Sequence, residues 1–133
     1  MGLPLPVFTG ACAAIIGLLA AFLTVRVILG RVRFKVDAGD GGHPELAQAI
    51  RAHGNLAEHA PITLLLIGFA EGLQAPMIAI YALGGVFVLA RLASAWGLGS
   101  SLGQSTGRQS GAGLTVLVIV LTALLVLYKL ATR

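Results

Sequence analysis

Residues 3–25 contain no charged side chain. A bilayer's hydrocarbon core is roughly 30 Å thick, and a helix needs about 20 apolar residues to cross it. The run is long enough, and nothing after it suggests a soluble fold. Residues 60–70, 75–90 and 111–128 are also uncharged and apolar. None of these runs shows the alternation of a strand. In hydrocarbon only helices and closed barrels satisfy every backbone polar group. The chain therefore reads as an all-α, integral membrane four-helix bundle, with helices at about 5–29, 44–71, 75–98 and 109–130 and a single domain over residues 1–133. Pro4 and Pro6 stand where the first helix begins, a position proline tolerates. The N-terminus has no basic residue, so it does not read as a secretory signal.

Only 11% of the residues are charged, and 57% are hydrophobic. A soluble domain carries about 25% charge, so there is too little polar surface for a water-facing globule. This excludes a soluble enzyme, a disordered tail and a nucleic-acid-binding module. The single cysteine, Cys12, lies inside an apolar run and closes no internal disulfide. The net charge of +4 is better read as topology. Arg31, Arg33, Lys35 and Arg108 fall in the first and third connections, and Lys129 and Arg133 on the other side. The positive-inside rule puts those two connections in the cytoplasm. The Gly39–Gly42 cluster follows no strand, so it is no nucleotide-binding loop.

The second helix is the most informative. Its first half is polar, and at about 100° per residue Asn55 falls roughly 40° from Arg51, and Glu58 roughly 20° on the other side. One narrow face thus carries Arg51, Asn55 and Glu58. Charges at membrane depth cost several kcal/mol unless they meet each other or a polar cavity. Arg51 offers a planar fork for a carboxylate, Asn55 both donates and accepts, and Glu58 suits an ammonium or an arginine. A small zwitterion with carboxylates at one end and an amine at the other fits this set. The alternative is an ion-pair network that only holds helices together. His53 and His59 point about 240° apart and no carboxylate completes a ligand triad, so no metal is expected. His43 reads as a loop residue, Glu71 as solvated or structural, and Arg91 as the partner of Glu58 or Glu71.

The run Glu45 … Arg51-Ala52-His53-Gly54-Asn55-Leu56-Ala57-Glu58-His59-Ala60-Pro61 resembles the second-helix signature of the MAPEG family, the membrane-associated proteins in eicosanoid and glutathione metabolism. The segment Ala90-Arg91-Leu92-Ala93-Ser94-Ala95-Trp96-Gly97-Leu98, the basic first connection and the arginine before the fourth helix are also similar, and the Gly39–Gly42 turn resembles the bacterial branch. The resemblance implies homotrimers of four-helix subunits in a bacterial inner membrane, with glutathione in the clefts between neighbours. It makes Arg51, Asn55 and Glu58 glutathione contacts, with Glu45 and His53 in a second tier. Arg31 or Arg33 would reach the tripeptide from the neighbouring chain, and Arg108 would stabilise its thiolate. His59 stands where many members have tyrosine, Ala93 and Leu98 replace tyrosines of the third helix, and Ser94 replaces a common histidine. The implied activity is that of a transferase or peroxidase. A free thiol has a pKa near 8.5; a guanidinium that lowered it by two units would supply about 2.7 kcal/mol. The thiolate would attack a lipophilic electrophile or hydroperoxide drawn from membrane lipid.

Two other classes remain open. A small four-helix transporter has a suitable length, but compact ones use a buried acid in the first helix, and residues 5–29 contain none. A non-catalytic scaffold would use the polar face for assembly alone.

Overall fold

The structure, a computed structural model, describes residues 5–100 and 106–132, with side chains described outside 97–100 and 106–110. It contains α1 (Val7–Phe34), α2 (Pro44–Gly72), α3 (Met77–Ser100) and α4 (Thr106–Ala131). At about 1.5 Å per residue each is long enough to cross a bilayer. Helices α1, α3 and α4 are also apolar enough to do so; α2 is set apart by its polar first half.

The first helix runs past its expected end at 29 to Phe34, so Arg31 and Arg33 are helical. Apolar content marks where a chain enters hydrocarbon, not where a helix stops. Basic side chains in a last turn face the negative end of the helix dipole and favour continuation. The stop is Lys35, left-handed at φ 55°, whose N–H reaches back to the Val32 carbonyl while the Val36 N–H bonds Arg31. The glycine cluster that follows is a tight turn. The Asp40 carboxylate accepts from the Gly42 N–H at 2.9 Å, Gly39, Gly41 and Gly42 all have positive φ, and the His43 ring stacks 4.1 Å from that of Phe34. Pro44 then opens α2, where its missing N–H costs nothing.

Helix α2 is central. It packs against α1, α3 and α4, whereas α1 touches α2 and α3 but not α4 among the described residues. Leu23, Leu56, Ile67, Ile80, Phe87 and Val118 form the buried core. Close approach needs small residues: a Cβ on Gly84 would press on the Phe8 ring of α1. Thr63, Thr115 and Thr122 are fully buried, and each hydroxyl donates to the carbonyl four residues earlier, the local solution for a hydroxyl away from water. The outside is apolar, with Leu18, Phe22, Ile78, Leu89, Trp96 and Leu127 all exposed. Lipid, not water, is the solvent such a belt requires.

Helix α1 starts without a side-chain cap of its own. Glu71, at the far end of α2, supplies one. Its carboxylate accepts from the Phe8 N–H at 2.9 Å, the Thr9 N–H at 2.8 Å and the Thr9 hydroxyl at 2.7 Å. Of the two expectations, solvated or structural, the contacts make it structural, and its partner is the backbone of another helix, where free N–H groups and the positive dipole end attract a carboxylate.

Candidate functional site

The polar face of α2 stays open. The Arg51 and Glu58 side chains are 62% and 56% exposed, and their one approach, 3.8 Å, is loose. They do not neutralise one another tightly, and donors on Arg51 and acceptors on Glu58 remain free for a third group. In a bilayer such a surface must meet a neighbour, a water-filled cleft or a ligand.

Asn55 lies between them and deeper. Its Oδ1 accepts from Arg91 Nη1 at 2.6 Å. Arg91, on α3, is 1% exposed. Its Nη2 donates to the Gly111 carbonyl of α4 at 2.8 Å and more weakly to Ser94 Oγ at 3.4 Å. This corrects the expected pairing with Glu58 or Glu71: Glu71 is committed to α1 at the opposite end of the bundle, and Glu58 faces outward. A neutral amide and a carbonyl receive the guanidinium instead. Gly111 is required there, because a Cβ would collide with Ser94 Oγ and lie 3.1 Å from the Ala90 carbonyl. The spacing along α2 could not reveal this node, because its partners lie on three different helices.

The other expected residues fall elsewhere in the subunit. Glu45 pairs with Arg33 at 3.0 Å, both well exposed. They border a groove of about 240 Å³ between α1 and α2 that Arg26, Gly30 and Phe34 also line. Arg26 precedes Arg33 by seven residues, a same-face spacing that the sequence displays without advertising its use. His53 faces a second groove of about 250 Å³, lined by small and apolar residues including Ala13, Gly17, Ala57 and Pro61. Arg31 Nη1 donates to the Asp37 carbonyl at 2.6 Å. Arg108 belongs to the start of α4; its side chain lies outside the described residues. One subunit thus gathers Arg51, Asn55 and Glu58, places Arg33 with Glu45, and sets His53 apart. Among the described residues no cluster of three or more His, Cys, Asp or Glu could hold a metal ion.

A four-helix membrane subunit with an arginine, an asparagine and a glutamate on one face of its second helix defines a class. The MAPEG family matches residues 9–128, and the chain belongs to that family. It is similar to the inner membrane protein YecN of Escherichia coli K12, with 33% identity over 116 residues, covering 84% of this chain and 87% of that protein. The YecN of E. coli O6:H1 matches with the same identity and coverage. This chain, too, is an integral protein of the inner membrane.

Proposed function

We propose that the protein is a membrane-embedded, glutathione-dependent transferase or peroxidase that works as a homotrimer, with its first and third connections in the cytoplasm. The observation that carries this reading is the open polar face of α2: Arg51 and Glu58 more than half exposed and only loosely paired, with Asn55 between them. A side chain held at membrane depth with unused hydrogen-bonding capacity is costly unless something polar is received there. Glutathione matches: its carboxylates suit Arg51 and the Asn55 amide, and its ammonium suits Glu58. Glu45, His53, Arg31 and Arg33 of the same or a neighbouring subunit extend the contact surface. Arg108 would hold the thiolate.

Transfer forms a carbon–sulfur bond as the electrophile's leaving group departs with its electron pair. Peroxidation breaks the oxygen–oxygen bond and oxidises two thiols to a disulfide, giving an alcohol and water. The lipophilic partner arrives from membrane lipid, which concentrates it. Calorimetric titration of the detergent-purified protein with glutathione, repeated with Arg51→Ala, tests the reading. Binding is expected for the wild type and lost in the variant; no heat at millimolar glutathione rejects it. The Arg51–Glu58 contact also favours a scaffold reading, in which the pair serves assembly. That reading predicts a broken oligomer for Arg51→Ala by native mass spectrometry and no thiol binding by either protein.

A further inference from the structure

We propose that Arg91 is a positioning residue that makes the α2 face select an anionic acceptor, acting on the ligand without touching it, through Asn55 and through its own charge; this rests on the glutathione reading above. Arg91 is 1% exposed. All five acids of the chain are described, and their ion pairs go to Arg33 and Arg51, so no carboxylate answers the Arg91 charge among the described residues. Its Nε is buried and finds no acceptor among them either. A buried guanidinium without a counter-charge is expensive, and pure helix-joining would be served as well by neutral groups.

Its geometry has two consequences at the surface. First, a guanidinium only donates hydrogen bonds. The Asn55 atom 2.6 Å from Nη1 must therefore be the amide oxygen, an assignment the chemistry forces. The Asn55 Nδ2 then points to the other side of the amide and donates to nothing among the described residues. Asn55, ambivalent in sequence, is presented as a donor, and a charge on its oxygen polarises its N–H groups further. Second, the Arg51 and Glu58 charges sum to zero, so the net charge beneath the face is that of Arg91. The cavity beside the guanidinium has only about 10 Å³, space for about one water. No ligand group reaches Arg91 itself, and its influence passes through the amide and through the field. A unit charge about 7 Å away at an effective dielectric near 20 is worth roughly tenfold or more in affinity for a carboxylate.

The chain contains one asparagine, so [15N]asparagine labelling gives a single side-chain amide signal. This signal would be followed in the full-length protein in detergent, with glutathione and glutathione diethyl ester as probes, for wild type, Arg91→Met and Arg91→Lys. In the wild type, glutathione shifts the Asn55 amide protons and binds more tightly than the ester. In Arg91→Met the free amide signal moves, glutathione affinity falls at least tenfold, and the preference over the ester shrinks. Arg91→Lys, which keeps the charge but not the fork, retains the preference and recovers part of the affinity; it also serves if Arg91→Met does not fold. Wild-type binding matched by a folded Arg91→Met overturns this inference and leaves the glutathione reading intact. So does an Asn55 signal that is the same in all three proteins. No glutathione binding by the wild type overturns both.

Discussion

Removing the Glu71 carboxylate should unfasten the start of α1 without touching the α2 face. Three hydrogen bonds of 2.7–2.9 Å converge on it from Phe8 and Thr9, and α1 has no side-chain cap of its own. Losing a helix cap costs about 1 kcal/mol, within a range of about 0.5–2. Hydrogen bonds to a charged group are worth about 1.5–3 kcal/mol each in favourable cases, and the dipole adds about 0.3–1. These contributions overlap, and water reaches the first turn of the helix once the carboxylate is gone. Glu71→Ala is therefore expected to lose about 2–3 kcal/mol. Glu71→Gln should lose about 1–2 kcal/mol, because its amide nitrogen cannot accept a hydrogen bond, so either the Phe8 or the Thr9 N–H loses its acceptor. The assay is thermal unfolding in detergent together with amide hydrogen exchange along α1. Exchange should rise at residues 7–10 and remain unchanged around Arg51. A Glu71→Ala protein that melts like wild type, with its α1 amides equally protected, would refute the capping argument. Thr9→Val provides a cross-check. It removes one of the three bonds, and its effect should shrink in the Glu71→Ala background because the two residues share one network.

Gly111→Ala should destabilise by about 1–3 kcal/mol, the range for overpacking, since its Cβ meets Ser94 Oγ and the Ala90 carbonyl; a melt of the detergent-solubilised variant measures this. Thr63→Val should cost less than about 1 kcal/mol. The hydroxyl of Thr63 bonds only within its own helix, to the His59 carbonyl, and the valine leaves that carbonyl its ordinary helical partner; a large drop in melting temperature would show that the hydroxyl holds another helix. Arg33→Ala should leave stability within about 1 kcal/mol, because its ion pair with Glu45 is exposed on both sides. A loss of glutathione binding at unchanged melting temperature would then mark Arg33 as a ligand contact. Gly41→Ala should destabilise more than Gly39→Ala in the same melts. Both require positive φ, but only at Gly41 would the new methyl also run into Val36.

Where the chain crosses the bilayer was legible from residues alone, because insertion depends on a local sum of side-chain transfer energies. The shared face of Arg51, Asn55 and Glu58 was legible too, since spacing within one helix needs only 3.6-residue geometry. Helix ends were less so: α1 outruns its apolar segment because dipole and capping terms act beyond the hydrocarbon boundary. Contacts between helices depend on their axial offset and rotation, which no single run of sequence contains. Hydropathy put Arg91 inside the bundle and left its partner to a guess at an acid. Only the packing of α2, α3 and α4 delivers Asn55 and the Gly111 carbonyl to its guanidinium, and only the packing of α1 on α2 brings Glu71 to a helix start 62 residues away in sequence.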